Sequence, residues 1–132
     1  MRPTTLDEYL AAARARLIRL DPVDAHTAMQ RGAFLVDIRP EFQRRRDGEI
    51  PAAIVIERNH LEWRLHPDSD ARIQEATSAD VHWIVLCDEG YASSLAAAVL
   101  QALGLRRATD VVGGFQAWRA AAMPLEPPRS SI

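Results

Sequence analysis

Behind Thr5-Leu6-Asp7-Glu8, apolar residues recur at helical spacing: Leu6, Tyr9, Leu10, Ala13, Leu17 and Leu20. The hydroxyl at Thr5 and the carboxylate three residues later have the form of a capping box, so a helix is predicted from here toward Leu20. Asp21-Pro22 opens a second, short helix with proline at its first position, and Gly32 closes it. The pattern then changes. Ala33-Phe34-Leu35-Val36-Asp37-Ile38 is a mostly apolar run bounded by Gly32 and Pro40, which predicts a strand buried on both faces. Ile54-Val55-Ile56, Val81 to Leu86 and Asp110-Val111-Val112 read as three further strands. Between them, Asn59 to Leu65 and Asp70 to Ala76 read as short helices around the turn residues Pro67, Asp68 and Ser69. Ser93 to Leu103 is a strong helix stopped by Gly104, and Phe115 to Ala122 a closing one. Arg44-Arg45-Arg46 reads as a solvated loop face. The proline-rich and serine-containing end, 127–132 in particular, reads as a loose tail.

Strands that are continuously apolar and alternate with helices indicate an α/β domain, its sheet mostly parallel and covered by helices on both faces. Ligands of such sheets bind outside the carboxyl ends of the strands. That rule singles out Asp37-Ile38-Arg39, Glu57-Arg58 and Cys87-Asp88-Glu89-Gly90.

Composition narrows the field. At 132 residues and 48% apolar, the chain has one domain's worth of core, and disorder is excluded. No stretch approaches the roughly 20 apolar residues of a membrane span, and no secretory signal is visible after Met1. A net charge of -2 and a pI near 6.1 give no general pull toward nucleic acid or anionic lipid. One cysteine permits no intrachain disulfide, so a reducing cytoplasm is the expected compartment. Every basic residue is arginine, a bias in keeping with a GC-rich genome, and lysine chemistry is therefore absent. His26, His60, His66 and His82 show no i, i+4 pairing and a lone cysteine builds no thiolate site, so no metal is expected.

The chemistry gathers at Cys87. The loop Cys87-Asp88-Glu89-Gly90-Tyr91-Ala92 leads from the third strand into the helix near Ser93-Ser94. A tight loop before a helix N-terminus turns backbone N–H groups inward, where they stabilise a thiolate or a bound anion. Gly90 permits a turn that a Cβ resists, and Ser93 or Ser94 can cap the helix. A cysteine at a strand end is equally well a small buried hydrophobe, and spacing alone leaves both readings open.

Three groups of residues resemble the rhodanese-like domain family. Val36-Asp37-Ile38-Arg39 followed by Gly48-Glu49-Ile50-Pro51-Ala52-Ala53 is similar to its first signature, and Cys87 to Ser93 to its active-site loop. Gly113-Gly114-Phe115-Gln116-Ala117-Trp118 with Met123-Pro124 is similar to its closing motif. Order and spacing agree over roughly residues 22 to 126. The resemblance implies a rhodanese-like domain over 21–126, preceded by a helical extension over 1–20. It implies a sulfurtransferase in which Cys87 accepts sulfane sulfur as a persulfide, with Asp88, Glu89, Gly90, Tyr91, Ala92, Ser93, Arg58 and Arg39 as loop and rim. A small sulfane-sulfur donor and a thiol or protein-thiol acceptor would be the partners, and no cofactor is implied. The alternative is a non-catalytic module of the same family that docks a partner protein.

This chain departs from the family pattern where charge matters. The family often carries arginine at the position of Ala92 and histidine at that of Glu49, and the loop here holds Asp88 and Glu89. When solvated, each carboxylate works against negative charge on the sulfur by roughly 1 kcal/mol or less. The helix dipole acts the other way by roughly 0.3–1 kcal/mol, so neither effect dominates. Weak use of thiosulfate is expected, because the loop has lost its cation. Arg58 and Arg64, on either side of Trp63, could restore that charge. Asp37 and Arg39 read as a structural pair, Asp37 on backbone N–H groups and Arg39 on a carboxylate such as Glu41. Phosphatase or arsenate reductase relatives of this fold need cysteine, then five residues, then arginine, and here that position is Ser93. The apolar stripe of the first helix either packs on the domain or forms a surface for self-association.

Overall fold

The computed structural model describes residues 2–128, so the predicted tail lies outside the described residues from 129 onward. Its sheet has four strands, β1 (Phe34–Asp37), β2 (Ile54–Val55), β3 (Trp83–Leu86) and β4 (Thr109–Asp110), in the order β2-β1-β3-β4. Every pairing between them is parallel, with Val36 beside Ile54, Leu35 beside Ile84 and Val85 beside Asp110. Six α-helices surround it: α1 (Leu6–Arg14), α2 (Pro22–Gln30), α3 (Glu41–Asp47), α4 (Leu61–Leu65), α5 (Ala92–Ala102) and α6 (Gly114–Ala120).

Alternation along β1 and β3 sorts their side chains onto two faces. Val36, Ile38, Trp83, Val85 and Cys87 meet Leu61 and Leu65 of α4 and Ala96, Ala97 and Leu100 of α5. On the other face Leu35, Ile84 and Leu86 meet Ala25 of α2 and Phe115 and Trp118 of α6. Burying each large aliphatic or aromatic side chain contributes about 1.5–3 kcal/mol. Trp118 completes its burial by donating from Nε1 to the Pro124 carbonyl at 2.8 Å.

Three local readings of the sequence are corrected. Helix α1 stops at Arg14, and the chain beyond it extends so that Leu20 forms a bridge beside Val111. The Leu20 N–H donates to Asp110 O at 3.1 Å, the Val112 N–H donates to Leu20 O at 2.8 Å, and the Thr109 hydroxyl donates to Ile18 O at 2.7 Å. These bonds to the β4 edge override the helical periodicity, and Leu17 and Leu20 end up in different cores. Arg44, Arg45 and Arg46 form the last turn of α3, not a loop; Pro40 precedes its first turn, and cations suit its carbonyl end. No helix forms over 70–76. There the Ile73 N–H donates to Arg64 O at 2.9 Å and the Arg64 guanidinium to Ala71 O at 2.6 Å, so tertiary partners replace the helical ladder.

His82, just before β3, is half-buried. Desolvation, with Arg107 nearby, holds its imidazole below the ordinary value of 6.5. As pH falls through 6.5 the unfolded chain takes up this proton first, so acid favours unfolding over the window between the ordinary and the folded value. The expected outcome is a melting temperature that drops between pH 7.5 and 5.5, and drops less in His82→Asn. Thermal unfolding of both proteins across that range checks it; identical slopes would refute the linkage.

Candidate active site

The carboxyl ends of β1, β2 and β3 open into one cleft of about 340 Å³, lined by Ile38, Arg39, Pro40, Gln43, Arg58, Cys87, Asp88, Glu89, Tyr91 and Ala92. Two wider clefts, of about 710 and 700 Å³, lie at the amino ends of β1 and β3 and between α4 and α5, and neither contains the cysteine. Cys87 follows the last residue of β3 and is 8% exposed. Its Sγ accepts from the Gly90 N–H at 3.1 Å and the Ser93 N–H at 3.4 Å. Two backbone donors thus converge on the sulfur from behind, where they stabilise negative charge on it.

The loop can take this path because two glycines let other backbone approach. Gly90 has φ +88°, and a Cβ there would lie 2.8 Å from the Gly113 nitrogen. Gly114, at the start of α6, lies against the loop's first peptide, and the next residues tie it down. The Phe115 N–H donates to Cys87 O at 2.8 Å and the Gln116 N–H to Asp88 O at 3.0 Å.

Electrostatics at the mouth differ from the bare sequence. The Asp88 carboxylate accepts from Gln116 Nε2 at 2.9 Å, which turns it toward α6. Its field reaches Arg46, and the Arg46 guanidinium beside Asp47 holds that carboxyl below the usual carboxylate range. Glu89 is exposed. Arg58 brings a guanidinium to the cleft, with Nη1 on both oxygens of Glu62 at 2.9 and 3.0 Å. Arg64 does not reach the cleft.

Arg39 lines the cleft, yet its charge is committed elsewhere. Its Nε and Nη2 fork onto Asp37 at 3.1 and 2.8 Å, Nη2 also donates to Gly48 O at 2.9 Å, and both side chains are fully buried. The partner is Asp37 and not Glu41, which pairs with Arg45 one turn along α3. The unpartnered Nη1 is accounted for by the guanidinium lying over the Phe115 ring, 3.8 Å from its centroid. Gly90 and Ser93, unlike Arg39, do not line the cleft; the helix start places them behind the sulfur. Glu49 is engaged by Arg44 at 2.8 Å, away from the cleft.

Sequence reasoning missed a polar layer under the loop. Asp110, fully buried in β4, accepts the hydroxyls of Ser93 at 2.8 Å and Ser94 at 2.7 Å, and Arg19 Nε at 2.8 Å. A carboxylate opening an apolar strand run is a sequence signal for such partners, because a buried charge must be paired. Of the other lining residues, Ile38 lies in a strand end already singled out, and Pro40 and Gln43 carried no comparable signal.

Among the described residues no group of three or more His, Cys, Asp and Glu could hold a metal ion, and no helix is long and apolar enough to cross a membrane.

Residues 21–121 match the family model described as a rhodanese-like domain. The thiosulfate sulfurtransferase GlpE of Pseudomonas savastanoi is 31% identical over 104 residues, covering 77% of this chain and 87% of that one. GlpE of Stutzerimonas stutzeri is 34% identical over 101 residues, 76% of this chain and 84% of its own. A protein of unknown function from Rhodopseudomonas palustris, described as a possible tyrosine phosphatase, superposes with a TM-score of 0.82 at 31% identity. That match covers 96% of this chain and all of the other. The polysulfide-sulfur transferase homodimer of Wolinella succinogenes shares the fold, with a TM-score of 0.71 at 20% identity over 89% of this chain and 84% of that one.

Proposed function

The chain belongs to the rhodanese-like domain family, and from that premise we propose that it is a sulfurtransferase carrying sulfane sulfur as a persulfide on Cys87. The observation that carries this reading is the convergence of the Gly90 and Ser93 N–H groups on Sγ, at the floor of an open cleft. In the first step a thiolate electron pair forms the new S–S bond to the donor's outer sulfur. The donor's own bond breaks, and sulfite leaves when the donor is thiosulfate. In the second step a small thiol, a protein thiol or, in the assay, cyanide attacks the outer sulfur, and Cys87 departs as thiolate. No cofactor enters either step.

A phosphatase reading has less support. It needs an arginine at the sixth residue after the cysteine, which is Ser93, and the arginines under the loop point at the Gly90 carbonyl and Asp110.

Intact-protein mass spectrometry tests the proposal, with thiosulfate and a polysulfide as separate donors and Cys87→Ser as control. Wild type is expected to gain one sulfur atom and the serine variant none. No gain with either donor, in folded protein, would leave a docking module as the better reading.

Thiosulfate is proposed to be the poorer donor, because Arg58 is the cation at the mouth and Glu62 already engages it. Ala92 is exposed and lines the cleft where the family often carries arginine. Ala92→Arg is expected to raise kcat/KM for thiosulfate about tenfold, the equivalent of one partly exposed charge-assisted hydrogen bond. Turnover with polysulfide should change far less. Steady-state kinetics with both donors check this, and equal changes for the two would count against donor selection by charge.

A further inference from the structure

The Gly90 carbonyl is turned out of the loop toward the N-terminal segment. There it accepts from Arg14 Nη2 at 2.8 Å and Arg19 Nη2 at 3.1 Å. Arg14 also donates from Nε to Ser94 Oγ at 3.0 Å, and Arg19 forks onto Asp110, Nε to Oδ1 at 2.8 Å and Nη2 to Oδ2 at 3.2 Å. Both arginines precede the residues matched by the family model. They reach the loop because α1 packs on α5 and Leu20 bridges to Val111 at the β4 edge. Neither lines the cleft.

Two consequences for the sulfur follow. Two guanidinium groups hold the Gly90 carbonyl outward, which keeps its negative end away from Sγ. The N–H groups that reach Sγ are those of Gly90 and Ser93, and the outward carbonyl leaves them unopposed. The second consequence runs through Ser93. Its hydroxyl has one hydrogen, given to Asp110, and its oxygen stands 3.3 Å from Sγ as an acceptor for the thiol proton. Asp110 therefore lies one hydroxyl away from the sulfur, and Arg19 balances its charge.

We infer that Arg14 and Arg19 are positioning residues for the Cys87 chemistry: the segment ahead of the family domain completes the site from behind. The inference rests on the reading of Cys87 as a sulfur carrier. Without these arginines the Gly90 carbonyl keeps only the Ser94 hydroxyl at 3.2 Å, a hydroxyl it shares with Asp110, and so swings inward more readily, while Asp110 loses its counter-charge. Both changes work against negative charge on Sγ. The other charged groups around it remain in every variant: Asp88 and Glu89 on the loop, Arg39 after β1 and Arg58 after β2.

The test compares wild type, Arg14→Gln, Arg14→Lys and Arg19→Lys by the pH dependence of Cys87 alkylation with iodoacetamide, alongside sulfur transfer to cyanide. Arg14 is half-buried and no carboxylate depends on it, so its variants keep the experiment readable if Arg19→Lys fails to fold. In Arg14→Gln the pH of half-limiting alkylation is expected to rise by about half a unit, with the limiting rate unchanged. The value of kcat falls several-fold and KM for the donor stays put. Arg14→Lys, which keeps the charge, recovers part of both. In Arg19→Lys a single ammonium cannot hold both Asp110 and the Gly90 carbonyl, and a shift at least as large is expected. Lower melting temperatures with an unmoved alkylation profile would reduce both arginines to structural supports and overturn the inference. Alkylation needs no sulfur donor. A wild type that takes up no sulfur would defeat the proposed function while the profiles still decide the role of the arginines.

Discussion

Asp37→Ala is expected to cost about 3–5 kcal/mol of folding stability, because it leaves the Arg39 guanidinium buried without its counter-charge. That is a large share of the about 5–15 kcal/mol that holds a domain of this kind together. Four hydrogen bonds end on the Asp37 carboxylate from Arg39 alone, counting the Arg39 backbone N–H at 3.0 Å and an Nε shared between both oxygens. Arg39 cannot escape to water: its Nη2 holds the Gly48 carbonyl and its plane lies on Phe115. The pair also fixes the turn out of β1, where Ile38 and Pro40 form one wall of the cleft, so sulfur transfer falls along with stability. The double variant Asp37→Leu, Arg39→Met removes both charges and is expected to be more stable than Asp37→Ala, since an apolar pair of similar volume needs no compensation. Urea denaturation at constant m-value measures both. A midpoint for Asp37→Ala within error of wild type would show that the guanidinium finds another partner.

That Asp37 and Arg39 are structural, with Asp37 taking a backbone N–H, was legible from the chain; that Arg39 pairs with Asp37 and not with Glu41 was not. The choice depends on α3, which gives Glu41 a partner in Arg45 at helical spacing, and α3 itself was hidden behind a run of three arginines. The first three strands were readable because short continuous apolar runs have few other uses in a chain this short, whereas the fourth was read at Asp110 to Val112 and forms at Thr109–Asp110, where neither residue is apolar. The loop from Cys87 to Ser93 was readable for the same reason, being where the third run ends. What failed were readings that treated the chain as its own environment. Leu17 and Leu20 continue the helical stripe of α1 on paper, yet backbone groups at the β4 edge offer Leu20 better partners than another helical turn. Residues 70–76 likewise find Arg64 before they find each other. Arg14 and Arg19 fall in the same class. Nothing in their neighbours along the sequence places them 76 and 71 residues away, on the Gly90 carbonyl.

Gly114→Ala is expected to lower kcat for sulfur transfer about a hundredfold and to cost roughly 2–5 kcal/mol of stability. Strain and collision add here. At φ +60° an L side chain costs about 1–2 kcal/mol by itself. A Cβ on Gly114 would then stand 2.5 Å from the Cys87 carbonyl oxygen and 2.8 Å from Asp88 C and O, all of it backbone, so the loop must shift or α6 must back away. Overpacking of this kind costs a further 1–3 kcal/mol or so. If the loop shifts, the N–H groups converging on Sγ move with it, and a displacement of about 1 Å in a site of this sort is enough for a loss near a hundredfold. If α6 shifts instead, the Phe115 and Gln116 N–H groups lose the Cys87 and Asp88 carbonyls, and the loop is freed from the other side. Gly104→Ala provides the control: its φ is +92°, but nothing lies within 4 Å of the added Cβ. It should lose stability and keep its turnover. Melting curves and steady-state rates for the two variants separate strain from collision, and equal turnover in both would show that the contact between Gly114 and the loop backbone does not hold the sulfur in place.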